Sequence, residues 1–422
     1  MRSQASGSAG AIAPGSRLAR RTLSPAWVVI AAGVAAALHV GKLSPALPAL
    51  SDALGVTLVQ AGFLLSLVQL AGMALGLIVG LTADSLGLRR TLVTGLLLLT
   101  TASLLGGWAR DAQSLLVLRA LEGLGFLLVS MPAPSLIRQL VPTERMSVML
   151  GLWGAYMPLG TATALLCGPL VIALAGWEFW WWLLAAVTLG VAGWVVLVVP
   201  ADHHRATRHS AAAGGLQGWM TRLQQTLSSS GPWLVALSFA MYSGQWLAVI
   251  GFLPTIYAQA GMVGGASAIL TALVAGVNMV GNIASGRLLG RGVRAEMLLY
   301  TGFGVMGLGT LLAFFAWPLA DGGSSLPWAV RFVAVLLFSM VGGMIPGTLF
   351  SLAVRVAPGE GTVSTTVGWM QQWASLGQFA GPPLVAWVAS AAGGWHWTWA
   401  VTGACSVVGL WLATHLGRRS RT

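Results

Sequence analysis

The chain has 422 residues, of which 56% are hydrophobic and only 8% are charged. Soluble domains carry about 25% charged residues, so this composition excludes a water-soluble globule. The net charge of +12 does not indicate nucleic-acid binding, because the basic residues are scattered between apolar runs and are not gathered on one face. A mean hydropathy of +0.82 and this length leave room for a dozen membrane spans with short loops.

Apolar runs predict twelve transmembrane helices and therefore an all-α membrane protein. Each run is long enough to cross a bilayer, and glycine, proline and charged residues mark its ends. The predicted spans cover residues 26–46, 58–80, 91–109, 114–138, 147–174, 179–199, 232–254, 265–286, 296–317, 328–353, 363–391 and 395–416.

The spans divide into two six-helix halves, separated and flanked by polar segments. The longest polar stretch contains His203, His204 and His209, and we interpret it as a solvated basic linker in preference to a metal site. The predicted organisation is an N-terminal tail at 1–25, a first bundle at 26–200, a linker at 201–231, a second bundle at 232–416 and a C-terminal tail at 417–422.

The basic residues predict the orientation of the chain in the membrane. If the N-terminus is cytoplasmic, all but four of the 22 lysines and arginines fall on the cytoplasmic side, as the positive-inside rule requires. The four exceptions, Lys42, Arg110, Arg119 and Arg331, lie within spans or at their outer ends. We therefore expect a bacterial inner-membrane protein with both termini in the cytoplasm.

Many tryptophans fall at the predicted outer ends of the spans. Tryptophan is enriched at membrane–water interfaces, so an aromatic belt explains them without any binding role. The belt residues are Trp108, Trp177, Trp180, Trp181, Trp182, Trp317, Trp328, Trp395, Trp397 and Trp399.

An internal repeat relates the two halves. Leu47-Pro48 and Gly55 recur as Leu253-Pro254 and Gly261, each displaced by 206 residues (253 minus 47). Equivalent spans are six apart, and an even number of spans gives both halves the same orientation. The halves are thus predicted to be parallel repeats, and a site between them near the membrane midplane can open alternately to either side.

The loop between spans two and three carries a family signature. Its sequence, Gly80-Leu81-Thr82-Ala83-Asp84-Ser85-Leu86-Gly87-Leu88-Arg89-Arg90, resembles the loop motif of the major facilitator superfamily. The resemblance implies a fold of two parallel six-helix repeats and a cytoplasmic latch between the halves. The alternative is a short loop whose arginines only anchor the orientation. The expected latch residues are Gly80, Asp84, Gly87, Arg89 and Arg90.

Span four contains a charged pair in a second motif similar to that family. Arg119 and Glu122 are three residues apart and therefore share one helix face. Charges within a membrane cost several kcal/mol unless they are paired or wetted, so the pair is expected to face the protein interior. Glu122 is the expected proton carrier and Arg119 its partner. A purely structural ion pair is the alternative.

Polar residues in other spans are candidates for binding a substrate. His39 and Lys42 share a face of span one, and with Arg119 they make the outer part of the predicted pathway positive. Snorkelling to the membrane surface is an equal alternative for Lys42 and the favoured one for Arg331. The predicted substrate-binding residues are His39, Lys42, Arg119, Tyr156, Gln245, Asn278, Gln371 and Gln372.

Local patterns suggest a branch of the family. The sequence of the fifth span at 153–160 departs from the signature of drug antiporters, which weakens an efflux interpretation. With a basic residue late in span one and Phe252-Leu253-Pro254 ending span seven, the chain most resembles the cyanate and nitroimidazole transporters. The resemblance implies secondary active transport of a small organic solute. The positive charge of the predicted pathway indicates an anionic solute, and Glu122 indicates coupling to protons.

The sequence shows no catalytic constellation and no nucleotide-binding motif, so we expect neither an enzyme nor a cofactor or metal. The expected partners are a small-molecule substrate, the lipid bilayer and protons, with no nucleic acid, and the chain is expected to be monomeric. Two alternatives remain open. One is efflux of drugs or metabolites by proton antiport, and the other is a transporter-like receptor that binds without translocating.

Overall fold

A computed structural model describes residues 25–142, 149, 152–202, 215–262, 264–317, 326–359 and 362–419, apart from the side chains of residues 80–86, 215–217, 219, 364 and 419. This part of the chain is helical and contains no β-strand. Ten of its helices are long and apolar enough to cross a membrane. One of the ten is two spans joined at Gly176, and the more polar helix Val363–Ala392 brings the number to twelve. The predicted all-α fold with twelve spans is confirmed.

Spans one to six form the first half, and each coincides with a predicted span. Spans one, two and four are each built from two consecutive helices. In chain order the helices are Pro25–Gly41 and Leu47–Leu54, Leu58–Ser66 and Leu70–Leu86, Leu88–Gly106, Ala112–Ser130 and Ala133–Leu140, then 156–176 and 177–198.

Spans seven to twelve form the second half and again coincide with the predicted spans. An additional helix, Gly215–Ser228, lies within the stretch interpreted from the sequence as a linker loop. Its fourteen residues contain no proline, so a continuous helix can form there. The spans are Ser230–Gln259, Gly265–Gly276 with Asn278–Gly290, Ala295–Phe314, Trp328–Gly342 with Met344–Val356, Val363–Ala392 and Thr398–Arg419.

Four spans are interrupted at equivalent places in the two halves. Span two contains the 3₁₀ turn Leu67–Gln69, and span eight is interrupted at Val277. Span four breaks just before Pro132, which cannot donate a backbone hydrogen bond, and span ten breaks at Gly343. Such breaks leave carbonyl groups without helical partners. Since spans two and eight, and four and ten, are each six apart, the breaks follow the predicted repeat.

Spans five and six meet at a single residue. Gly176 has φ +86° and ψ 165°, a backbone conformation that side chains with a Cβ rarely adopt. The chain turns at this glycine from one span into the next without a loop. Spans five and six are therefore joined without slack.

Spans two and eleven form a long seam between the two halves. The amide of Gln69 donates to Gln378 Oε1 at 3.0 Å, and the backbone N–H of Leu77 donates to Gln372 Oε1 at 3.2 Å. The two bonds lie about two turns apart along span two. The halves are thus joined by hydrogen bonds between amide groups along the middle of the seam.

Glycines allow close helix packing within each half. A methyl group added to Gly160 would lie 2.7 Å from the carbonyl oxygen of Val34, where spans five and one meet. A methyl group added to Gly377 would lie 2.2 Å from the carbonyl oxygen of Ala240, where spans eleven and seven meet. Small residues at such contacts are typical of membrane helices, which gain stability by close packing of their backbones.

The bundle has two ends. We call the end that carries the linker helix the linker end, and the opposite end, with residues 107–111 and 393–397, the distal end. At the distal end Asp111 caps span four, and its carboxylate accepts from the backbone N–H of Ser114 at 2.8 Å. This bond and a second one from the Ser114 hydroxyl lower the pKa of Asp111.

Candidate functional site

Four of the predicted site residues lie together inside the first half. His39 and Lys42 of span one face Arg119 and Glu122 of span four, and we call these four residues the charged cluster. No side chain of the cluster has more than 2% of its surface exposed. Charged groups this deeply buried must satisfy one another, because no solvent is available to them.

Lys42 is fully paired. Its ammonium group donates to Glu122 Oε1, to the hydroxyl of Ser103 at 2.9 Å and to His39 Nδ1 at 3.4 Å. The ammonium also lies 4.6 Å from the ring centre of Trp181, a distance that suits a cation–π contact. Three N–H groups thus have three acceptors. The snorkelling alternative for Lys42 is wrong, because the side chain points into the bundle and not toward a membrane surface.

Arg119 holds three segments of backbone. Its guanidinium donates to the carbonyl oxygen of Leu64 at 2.9 Å, to that of Val40 at 3.3 Å and to that of His39. The first helix of span one ends at Gly41, so the carbonyl groups of His39 and Val40 have no helical partner. The carbonyl group of Leu64 precedes the 3₁₀ turn of span two. Arg119 therefore caps two interrupted helices in addition to its bond with Glu122.

Glu122 is the single carboxylate of the cluster among the described residues. Its Oε2 accepts from Arg119 at 2.7 Å, while its Oε1 accepts from Lys42 and lies 3.7 Å from His39 Nδ1. With His39 neutral, two cations and one anion give the cluster a formal charge of +1 (two minus one). The first half thus contains a buried positive charge.

His39 connects the cluster to span six. Its Nε2 lies 2.8 Å from the hydroxyl oxygen of Thr188, which is itself fully buried. Because Lys42 donates to Nδ1, the neutral ring carries its hydrogen on Nε2 and donates it to Thr188. This arrangement fixes the tautomer of His39 and ties span one to span six.

Residues of spans three and six that the sequence did not predict as part of a site complete the cluster. Ser103 accepts from Lys42 and donates to the carbonyl oxygen of Trp181 at 2.8 Å, and the indole of Trp180 donates to the carbonyl oxygen of Lys42 at 3.1 Å. Trp177, Trp180 and Trp181 are all buried. For these three the predicted membrane belt is wrong, because Trp180 and Trp181 contact Lys42 and Trp177 packs on Trp181 inside the bundle.

The other predicted binding residues lie outside the charged cluster, in separate polar groups. Tyr156 stacks on Trp153, with ring centres 4.2 Å apart. Asn278 donates to the carbonyl oxygen of Ser339 at 2.9 Å and shares hydrogen bonds with Tyr242. The structure therefore does not bring Tyr156 or Asn278 to the buried charges.

Three predicted binding residues are glutamines of the second half. Gln245 accepts from the hydroxyl of Ser406 at 3.1 Å, within the second half. Gln372 belongs to the seam, where it accepts from span two. The neighbouring Gln371 is half-buried. These amides lie in spans seven and eleven, on the opposite side of the seam from the charges.

The predicted latch is described only in part. Gly80 and Asp84 lie in the helix Leu70–Leu86, and their side chains fall outside the described residues. Gly87 has φ +94°, and the backbone N–H groups of Arg89 and Arg90 donate to the two carboxylate oxygens of Asp202 at 3.1 and 3.0 Å. Asp202 caps span three, a role that the sequence analysis missed.

Arg331 lies at the distal end of the second half. Its Nε donates to the carbonyl oxygen of Ala313 at 2.6 Å. It lines a cavity of about 470 Å³ together with Gln259, Trp395 and His396. The side chain is half-buried, so it differs from the enclosed cations of the first half.

Comparison with known proteins agrees with this architecture. The family model of the Major Facilitator Superfamily matches residues 26–375. A solved D-xylose–proton symporter superposes with a TM-score of 0.72 over 93% of this chain and 96% of that chain, at 16% sequence identity. At this identity the likeness shows the fold alone.

The curated relatives differ in what their names say they act on. An MFS-type transporter of Mycobacterium tuberculosis is 30% identical over 144 residues, 34% of this chain and 24% of that protein. The puromycin resistance protein of Streptomyces alboniger is 33% identical over 164 residues, 38% of this chain and 32% of that protein. The plastidic glucose transporter 4 of Arabidopsis thaliana is 26% identical over 382 residues, 79% of this chain and 68% of that protein.

The first of these relatives are matched over about a quarter to a third of their length. The resemblance to the cyanate and nitroimidazole branch stays a prediction. The family model, in contrast, spans both halves and the linker between them. The chain belongs to the Major Facilitator Superfamily and is a multi-pass membrane protein.

Proposed function

We propose that the chain transports a small organic anion across the bacterial inner membrane by alternating access, coupled to protons through the charged cluster. The observation that carries the proposal is the buried excess of positive charge formed by Lys42, Arg119 and Glu122. Intramembrane charges are costly and are a mark of proton or substrate pathways. We assign both termini to the cytoplasm from the distribution of basic residues, and with them the linker end to the inward side.

The cluster is connected to the seam that must open during transport. Arg119 holds the carbonyl oxygen of Leu64, and the 3₁₀ turn that follows ends at Gln69, whose amide bonds Gln378 in the second half. A change of charge beside Arg119 therefore acts on span two close to its contact with span eleven. This short connection supports a coupling role for the cluster.

The charges of the two halves support an anionic substrate. The first half contributes buried cations, whereas the buried polar residues described in spans seven, eight and eleven carry amides and hydroxyls. Amides such as Asn278, Gln371 and Gln372 can donate to a carboxylate without adding a competing charge. We assign substrate contact to these amides and to Tyr156, and attraction of the anion to the charged cluster.

The latch at the linker end is part of the same proposal. Gly80, Asp84, Gly87, Arg89 and Arg90 would close the inward side when the substrate site faces outward. The caps that Asp202 provides to Arg89 and Arg90 hold the start of span three in place for this movement. We further assign a monomer as the transporting unit, because each chain contains both halves.

Transport into proteoliposomes tests the coupling. Purified protein is reconstituted, and uptake of labelled small carboxylates is followed with and without an imposed pH gradient. A gradient of one pH unit drives about tenfold accumulation when one proton accompanies each solute. Uptake that is indifferent to the gradient for every transported carboxylate would refute proton coupling. Uptake of neutral or cationic solutes alone would refute the anionic substrate.

Efflux of an amphipathic compound is the second candidate. The relative named as a puromycin resistance protein favours it, as does the aromatic stack of Trp153 on Tyr156. Expression in a host that lacks its own drug pumps should then raise the tolerated concentration of puromycin and similar compounds. An unchanged tolerance across a broad panel, with the protein detected in the membrane, would exclude this candidate.

A further inference from the structure

Lys42 is the only lysine in the chain. We propose that Lys42 is the group that binds and releases the coupled proton, and that Glu122 remains ionised as its fixed counter-ion throughout the cycle. The inference deepens the proposed function and rests on it. It differs from the expectation that Glu122 carries the proton.

Protonation of Glu122 is opposed by the charges around it. Both of its oxygens face cations, Lys42 on one side and Arg119 on the other. A neutral Glu122 would leave two cations buried without any carboxylate among the described residues of the cluster. Removing the partner of a buried charge is strongly unfavourable. The proton of the cycle is therefore better placed elsewhere.

Release of a proton from Lys42 leaves the charged cluster with no net charge. The ammonium becomes a neutral amine, Arg119 and Glu122 remain a one-to-one ion pair, and the charge of the cluster falls from +1 to zero. Arg119 does not release protons in proteins, so it cannot take this role. The amine still donates to Glu122 and to His39, while the hydroxyl of Ser103 keeps its hydrogen bond to the carbonyl oxygen of Trp181.

The neighbours of Lys42 from every adjoining span fit this exchange. His39 of span one presents Nδ1, Ser103 of span three presents its hydroxyl, span four presents Glu122 and Arg119, and span six presents the ring of Trp181. None of these groups other than Glu122 carries a negative charge. The site thus offers Lys42 one counter-ion and two neutral partners.

The charge change also sets a stoichiometry. One proton taken up by Lys42 balances one bound monovalent anion, so the loaded and empty transporters differ by no net charge. We therefore expect one proton to move with each anion. A membrane potential imposed without a pH gradient should leave uptake unchanged.

The single lysine makes a direct measurement possible. Protein expressed with lysine that is labelled with nitrogen-15 at Nζ contains one labelled side-chain nitrogen. Its chemical shift, measured by NMR, distinguishes the ammonium form from the amine. In the wild-type protein in detergent or lipid discs, this signal should change from ammonium to amine within the pH range over which uptake responds to the gradient. An ammonium signal that persists over that whole range would overturn the proposal.

Transport by Lys42→Arg tests the same inference independently. Arginine keeps the positive charge beside Glu122 but cannot release a proton, so exchange of labelled for unlabelled substrate should continue while accumulation under a one-unit gradient falls from about tenfold to none. Lys42→Met, which leaves Arg119 and Glu122 paired, should also lose accumulation under the gradient but should exchange substrate more slowly, because the cluster then carries no net charge. It serves as the second variant if Lys42→Arg does not fold. Full gradient-driven accumulation by either variant would overturn the proposal.

The controls separate this inference from the proposed function. A wild-type protein whose uptake ignores the gradient contradicts proton coupling itself, whichever group titrates. If uptake responds to the gradient in both the wild-type protein and the Lys42→Arg variant, only the role of Lys42 is contradicted, and proton coupling itself stands. Arg331→Lys, at the distal end and outside the cluster, is the matched variant that should retain full accumulation.

Discussion

The two halves contain the same polar contact built from different side chains. In the first half His39 bonds Thr188, and in the second half Gln245 bonds Ser406. Gln245 is displaced from His39 by 206 residues (245 minus 39), as Leu253 is from Leu47, and Ser406 is displaced from Thr188 by 218 (406 minus 188), as Trp395 is from Trp177. Both contacts tie the first span of a half to its last.

The difference between the halves separates what the fold needs from what the activity needs. A glutamine and a serine are sufficient to join spans seven and twelve, so a buried ionisable group is not required to hold this architecture together. The first half nevertheless places a histidine, two cations and a carboxylate at the corresponding level. We attribute the presence of these charges to transport; once they are buried, each depends on its partners, so that removing one is costly.

Removal of Arg119 should have the largest effect on stability. Arg119→Met leaves the carbonyl groups of Leu64, His39 and Val40 without their partner and breaks the ion pair with Glu122. Breaking a buried pair costs about 3–5 kcal/mol, so we expect little folded protein. The yield of monodisperse protein and its thermal unfolding temperature measure the loss.

The control for this variant comes from the second half. Arg331→Met removes one hydrogen bond to Ala313 from a half-buried side chain, so it should cost only about 1 kcal/mol. Equal losses of stability in the two arginine variants would contradict the special position of Arg119.

Loss of close helix packing, in contrast, should lower the stability of both halves by similar amounts. Gly160→Ala and Gly377→Ala each push a methyl group against backbone of a neighbouring span, and overpacking costs about 1–3 kcal/mol. Unfolding temperatures of the two variants should fall by similar amounts. Gly190→Ala, where an added methyl group meets no atom within 4 Å, should unfold at or slightly above the wild-type temperature, because alanine is favoured over glycine inside a helix. A loss confined to one half would show that the two bundles are not packed alike.

The paired contacts should show the smallest effects and the sharpest contrast. Thr188→Val removes the partner of the buried His39 ring and should cost about 1–3 kcal/mol, the usual penalty for an unsatisfied buried donor. Ser406→Ala removes one bond from Gln245, which keeps its bond to the carbonyl oxygen of Met241, and should cost about 0.5–1.5 kcal/mol.

Transport distinguishes these two variants better than stability does. Thr188→Val frees His39 beside Lys42, so it should change the pH dependence of uptake. Ser406→Ala should leave the pH dependence of uptake as in the wild type. A changed pH profile in Ser406→Ala, with an unchanged one in Thr188→Val, would reverse the assignment of proton chemistry to the first half.

The sequence predicts the spans and the local pairs of the site, but not its assembly. The separation of three residues between Arg119 and Glu122, and between His39 and Lys42, places each pair on one helix face, as found. That the two faces meet depends on how spans one and four pack. Ser103 and Thr188 could not be recognised, because a single hydroxyl in an apolar span usually bonds its own helix backbone.

The buried tryptophans were assigned to the membrane surface for a related reason. Trp180 and Trp181 lie near the end of a span, where a surface belt and the lid of a buried site have the same sequence pattern. Only the positions of spans one and three show that these rings cover Lys42. The sequence also does not predict the capping role of Arg119, because the 3₁₀ turn after Leu64 contains no proline or glycine that would indicate an interruption of the helix.

The joint at Gly176 gives the molecule a mechanical property. Span five lies beside span eight of the other half, where an added methyl group at Gly276 would be 3.6 Å from Ala162, and span six carries Trp180 and Thr188 against the charged cluster. With a single residue between them, the two spans cannot separate without a change in the backbone at Gly176. In the alternating access proposed above, a displacement of span five would therefore be passed to the wall around Lys42.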